Sequence, residues 1–157
     1  MRLFSLSLAL GLFAASALAQ TFSPDSPIHD AARLGGAEAV KRVLKKDPGA
    51  RDQRTQLGSQ AIHLAAMNPD TGALRALIEA GANVNARDAE GATPLHMAAY
   101  ASRATHVQIL LEAGADPLAV TDNGRDATAM ARKVKADETA GVLALWILKG
   151  CQAKKPC

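Results

Sequence analysis

Three histidines recur at nearly regular intervals in this 157-residue chain and are the first residues to consider for chemistry. His29, His63 and His96 stand 34 and 33 residues apart. Imidazole can bind a transition metal or transfer protons, so a shared metal site has to be weighed. Equivalent positions in stacked units of this length would lie roughly 10 Å apart, whereas metal ligands lie about 2 Å from their ion. The spacing therefore predicts one histidine in each of several repeats and no metal site.

The other reactive side chains are two cysteines near the end of the chain, Cys151 and Cys157. Their spacing allows a small closed loop, provided that the two Cβ atoms can approach each other. A redox pair, a metal site and intermolecular bonds are the alternatives. The spacing is wider than that of thiol oxidoreductases, and two ligands alone do not make a structural zinc site. We predict an intramolecular disulfide, as an even cysteine count favours in an exported protein.

Catalytic motifs are not recognisable elsewhere in the sequence. There is no nucleophile elbow, glycine-rich phosphate loop or paired-carboxylate motif, and Gly35-Gly36 is interpreted as a turn between helices. We expect neither enzymatic activity nor a cofactor.

The histidine at 96 lies in a segment that is repeated along the chain. Residues 90–115 read EGATPLHMAAYASRATHVQILLEAGA, in which Thr93-Pro94 opens one helix and Gly114 ends a second. Copies in register start about 33 and 67 residues earlier, and a weaker copy follows. Such a unit cannot bury its own apolar face, and repetition at this period predicts a solenoid.

With Gly-x-Thr-Pro-Leu-His-x-Ala-Ala intact at residues 91–99, the chain resembles the ankyrin repeat family over about residues 26–149. The resemblance implies an all-α solenoid of about four helix-turn-helix repeats. Their predicted spans are about 20–54, 55–87, 88–120 and 121–149, followed by a tail at 150–157. It also implies structural roles for Thr93 and Pro94. The three repeated histidines should pack within the stack and bond loop backbone between neighbouring repeats.

Several local expectations follow from the departures between copies. The first repeat should act as an N-terminal cap, and the turn at 102–104 should be altered because it lacks a glycine. Asp126 should cap the start of its helix, and His106 should be exposed on an outer helix. Residues 138–149 are too apolar for a simple exposed end, so we expect the tail to cover them or a second copy to do so.

The first 19 residues are predicted to be a signal peptide. A short basic start and an apolar stretch precede Ala17-Leu18-Ala19, a typical cleavage site. An uncleaved anchor is the alternative. We therefore expect an exported protein of a bacterial periplasm, which removes nucleic acid as a routine partner despite the net charge of +3. The basic run at 41–46 is interpreted as a solvated helix face, with an anionic partner or a membrane surface as the alternative.

The resemblance implies that a partner protein binds the concave face formed by turn tips and inner helices. The predicted contact residues are Arg33, Leu34, Gln56, Leu57, Met67, Asn68, Glu90, Tyr100, Asp122, Asn123 and Arg125; Ser59, Ala89, Ala92, Ala101 and Lys133 belong to the same face. We expect a monomer when free that acts as a scaffold or stabilising subunit for a periplasmic protein, in a role such as oxidative-stress defence. The alternative is an inhibitor, such as an immunity protein that blocks a toxin.

Overall fold

A computed structural model describes residues 26–153 and 155. The predicted signal peptide and Cys157 lie outside these residues. The described part contains eight α-helices and one 3₁₀ turn at Pro48–Asp52. The helices are α1 (Pro27–Leu34), α2 (Ala37–Lys46), α3 (Ala61–Met67), α4 (Gly72–Glu79), α5 (Pro94–Tyr100), α6 (Ala104–Glu112), α7 (Ala127–Lys133) and α8 (Asp137–Leu148). The predicted all-α solenoid is confirmed.

The helices form two layers. The inner helices α1, α3, α5 and α7 pack in chain order, and α2, α4, α6 and α8 lie outside them. Alanines fill much of the inner layer, including the fully buried Ala32, Ala65 and Ala98. Their small side chains let neighbouring helices come close, while leucines such as Leu74 and Leu110 fill the space towards the outer layer. None of the described helices combines the length and apolar character needed to cross a bilayer.

Three of the inner helices begin with the same kind of N-cap. In α1, α3 and α5 the residue before the helix donates its backbone N–H to Nδ1 of the histidine three positions later, at 3.1–3.2 Å. Helix α7 has no histidine there, and Asp126 replaces it by accepting the Ala129 N–H at 2.7 Å. The predicted cap at Asp126 is therefore confirmed, and each start satisfies an amide that has no intrahelical partner.

The turns between the paired helices are of two kinds. After α1 and α3 the capping residues Gly35 and Asn68 are extended. After α5 and α7 the chain instead places Ser102 and Lys135 in the left-handed region, at φ 57° and 59°. The altered turn expected at 102–104 is thus present, and it recurs 33 residues later.

The last helix keeps an exposed apolar face. Leu143 is fully buried and Trp146 packs partly on the core, but Leu148 is 80% exposed. The described part of the tail bonds back to this helix, with Cys151 N–H donating to the Trp146 carbonyl, and Ala153 passes beside Gly114. These residues leave Leu148 uncovered. The Cys151–Cys157 pair stays a prediction because Cys157 lies outside the described residues.

Candidate protein-binding surface

The repeated histidines connect each inner helix to the loop that leads to the next repeat. Since Nδ1 accepts the cap amide, the proton is on Nε2, which donates to a loop carbonyl. These bonds join His29 to Gln53 at 3.0 Å, His63 to Ala86 at 3.0 Å and His96 to Arg125 at 2.9 Å. The loops that carry the turn tips are therefore fixed to the helix layer by hydrogen bonds that are fully buried at His63 and partly buried at His29 and His96.

Burial keeps two of these rings neutral. Desolvation lowers the pKa of His63 and His96 below its ordinary value, and the nearby Asp88 carboxylate and loop carbonyls oppose the shift only in part for His63. A neutral imidazole can accept at one nitrogen while donating at the other. Desolvation thus favours the neutral ring, and the hydrogen bonds at its two nitrogens select the tautomer.

Two arginines brace the turn tips, and the sequence analysis missed both. Arg54 donates to the carbonyls of Gly58 at 2.6 Å and Arg87 at 2.7 Å, so it joins its own tip to the next repeat. Arg87 does the same with Gly91 at 3.0 Å and Val120 at 2.8 Å. The signal was available, because the two arginines are 33 residues apart.

The tips also bond directly to one another. Ala89 N–H donates to the Leu57 carbonyl at 3.1 Å, and Asp122 N–H donates to the Glu90 carbonyl at 3.0 Å. Gly91 is left-handed at φ 73°, and the Asp122 carboxylate lies where its Cβ would be. The three tips consequently form one continuous edge of fixed register.

Most of the predicted contact residues lie at the surface. Those exposed are Arg33, Leu34, Gln56, Leu57, Met67, Glu90, Tyr100, Asp122, Asn123 and Arg125. The side chains at 33, 67, 100 and 133 occupy equivalent positions at the ends of the inner helices. They form a strip that reads Arg, Met, Tyr, Lys, with two apolar side chains between two cations.

The assignment of three residues to this face was wrong. Asn68 is only 6% exposed, because its amide donates to the carbonyls of Ala32 and Gly35 at 3.0 and 2.9 Å, which end α1. Ser59 and Ala92 are also buried, since their loops fold under the tips. These side chains support the surface and cannot contact a partner.

His106 was also misplaced by the sequence analysis. It is 2% exposed rather than exposed, and burial lowers its pKa. The periodicity of α6 explains the error, because positions 106, 107 and 110 share the face that turns inward. Among the described residues no group of three His, Cys, Asp or Glu side chains is arranged to hold a metal.

Comparisons with known proteins agree with this architecture. A family model of ankyrin repeats, in three copies, matches residues 28–121. Human BCL-6 corepressor-like protein 1 is 37% identical over 101 residues, or 64% of this chain. Zebrafish (Danio rerio) neurogenic locus notch homolog protein 1 is 32% identical over 120 residues, or 76% of this chain. The chain spans only 6% and 5% of the lengths of these relatives.

Proposed function

Because this chain belongs to the ankyrin repeat family, whose repeats are protein–protein interaction modules, we propose that it binds a partner protein through its turn tips and inner-helix ends. The family is typically non-catalytic, and the proposed role is binding alone. The observation that carries the site is the row of exposed apolar side chains on consecutive repeats. Leu57 is 75% exposed, Met67 40% and Tyr100 49%.

The chemistry of this row favours a particular kind of partner surface. Aromatic and methionine side chains are enriched at the centres of interfaces, where they are surrounded by polar residues. Here Arg33 and Lys133 flank the apolar pair, and Glu90 and Asp122 lie on the adjacent tip edge. A partner with an apolar centre, acidic groups facing the inner helices and a basic group facing the tips would be complementary.

The finer role that we propose is a scaffold or stabilising subunit for a periplasmic protein, with oxidative-stress defence as one setting. Support for export comes from the predicted cleavage site and from the two late cysteines, which suit an oxidising compartment. Titration of free thiols in the purified, non-reduced protein checks the cysteine part. Two reactive thiols per chain would contradict it.

The binding proposal is tested by a tagged pull-down from an extract of the protein's own cell envelope. We compare the wild type, the variant Met67→Ala/Tyr100→Ala and the control Leu118→Ala. The control removes an exposed apolar side chain from the loop after α6, which is not among the predicted contact residues. A stoichiometric partner captured by the wild type and control but lost from the first variant is expected.

The outcomes separate the site from the role. Capture by all three proteins would overturn the assigned face, and the exposed end of α8 would be tested next. If a partner is found, its activity distinguishes the roles: activity that persists or rises in the complex supports a scaffold, and activity that falls supports the inhibitor alternative.

A further inference from the structure

The last of the three turn tips is more open than the other two. The tips are residues 55–59, 88–92 and 121–125. Each has a glycine with a positive φ of 69–73° at its fourth position. A Cβ at Gly58 would lie 2.8 Å from the Ala89 nitrogen, and one at Gly91 would collide with the Asp122 carboxylate. At Gly124 nothing lies within 4 Å of that position, so the first two tips are covered by the next tip and the third is not.

The third tip is also held by weaker side-chain bonds. In the second tip the Asp88 carboxylate accepts the N–H groups of Glu90 and Ala92, at 2.9 and 2.8 Å. A threonine replaces this aspartate in the third tip. The Thr121 hydroxyl accepts one described N–H, that of Arg125, at 3.3 Å. Fewer bonds must break before the third tip opens locally, so it should open more often than the second.

The residue before the uncovered glycine is Asn123, whose side chain differs from those of the other three asparagines. Asn123 is exposed, and its amide has no hydrogen bond within the described part of the chain. The Asn85 amide, by contrast, accepts a backbone N–H at 2.8 Å and donates to a backbone carbonyl at 3.0 Å. Asn83 accepts the Asn85 N–H at 2.9 Å, and Asn68 donates to two carbonyls. The Asn123 amide is thus the one in the described chain that no such bond restrains.

An asparagine followed by glycine can lose its amide without an enzyme. The backbone nitrogen of the glycine attacks Cγ of the asparagine, and a bond forms between the two atoms. The Cγ–Nδ2 bond breaks, and the amide nitrogen leaves as ammonia with the proton of the attacking N–H. Water then opens the resulting succinimide ring at one of its two carbonyls, which leaves aspartate or isoaspartate. Glycine favours the attack because it has no Cβ to obstruct its nitrogen and reaches backbone angles that other residues avoid.

We propose that Asn123 is a site of spontaneous deamidation in the folded protein, and that opening of the third tip limits its rate. In the closed tip the Gly124 N–H donates to the Thr121 carbonyl at 2.8 Å, so this bond must break before the nitrogen attacks. Each conversion adds a negative charge beside Asp122, and isoaspartate also lengthens the tip backbone by a methylene. The reaction does not depend on the proposed binding role, but it changes the charge of the tip edge as the protein ages.

Peptide mapping by mass spectrometry, after incubation of the purified protein in a mildly alkaline buffer, measures amide loss at each asparagine. The variant Glu90→Asn is the matched control, because it places the same Asn-Gly pair on the second tip, where Gly91 is covered. In this variant we expect amide loss at Asn123 to be about tenfold or more faster than at position 90, since the second tip has more hydrogen bonds to break. Loss at Asn85 should be slower still.

Incubation of the same variant in concentrated urea separates the effect of the fold from that of the sequence. Both Asn-Gly pairs should then react at equal rates, because unfolding removes the tips. Circular dichroism verifies that the variant is folded in buffer. Equal rates at the two positions in the folded protein, or an equally large difference in urea, would overturn the role of the open tip. An Asn123 amide that lasts as long as that of Asn85 would overturn the site itself.

Discussion

A histidine is buried at the start of three inner helices and also at the start of α6, but its hydrogen bonding differs between the two places. At His29, His63 and His96 both ring nitrogens meet a backbone group, one in the cap and one in the following loop. At His106 the ring is equally buried, but Nε2 makes no hydrogen bond of good geometry, and the Asp70 backbone acts on the ring without offsetting its burial. The difference shows that the cost of burying a histidine is offset where the repeat supplies a partner for each ring nitrogen, and is offset only in part where it does not.

The largest expected effect separates the two kinds of histidine by stability. His63→Ala should lower the free energy of unfolding by about 2–4 kcal/mol, because it leaves buried backbone groups unpaired and opens a cavity. His106→Ala should cost at least about 1 kcal/mol less, since it removes a polar atom that was already unpaired. Urea unfolding of both variants measures the difference. Equal losses would mean that the His106 ring is satisfied in solution.

A second test measures how stability depends on pH. Here the two kinds of histidine should behave alike, because both kinds of ring are desolvated. Burial lowers the pKa of His63, His96 and His106 in the folded state, so above about pH 6.5 they are neutral both folded and unfolded. As the pH falls below that value the unfolded chain binds protons first, and stability declines by at most about 1.4 kcal/mol per pH unit for each histidine.

Unfolding free energies at several pH values between 8 and 5 measure this decline. His63→Ala and His106→Ala should each make it shallower by a similar amount, although their stabilities at pH 8 differ. A flat profile in the wild type would show that the rings stay accessible to protons in the folded state.

The smallest of these effects concerns the tips that the histidines position. Arg87→Ala removes two hydrogen bonds to the carbonyls of Gly91 and Val120 at an exposed site, and should cost about 1 kcal/mol. Hydrogen exchange should increase at the tip amides around residues 89–92 and 122–124 while the helix amides stay protected. Lys133→Ala, which removes a cation from the strip, serves as the control. Unchanged exchange at the tips would mean that the backbone bonds alone hold them.

The fold could be predicted because the same short sequence pattern recurs in register along the chain. One copy of Thr-Pro-Leu-His with apolar positions in register was enough to place the helices of the other copies. Positions that vary between copies were harder. Asparagine is usually found at the surface, but the Asn68 amide donates to backbone carbonyls at the end of α1. Such a contact depends on how neighbouring repeats pack.

His106 illustrates the same limit from the opposite direction. Its register partners at 39 and 73 are alanines, and a larger polar residue there is expected outside the core. The angular position of residue 106 on α6 and the space beside α8 placed it inside instead. The arginines at 54 and 87 were missed for a different reason. Their 33-residue spacing indicates a repeated role, but the sequence does not show which backbone carbonyls a loop cation will contact.

The two left-handed turns have a consequence for where the protein begins to unfold. Ser102 and Lys135 both adopt the left-handed conformation, which is about 1 kcal/mol unfavourable for any residue that has a Cβ atom. Both residues lie in the second half of the stack. In a linear array, stability is set locally and by nearest neighbours, so such costs stay where they arise. The end bearing α7 and α8 should therefore fray first, and a protease that attacks frayed segments would shorten the protein from its carboxyl end.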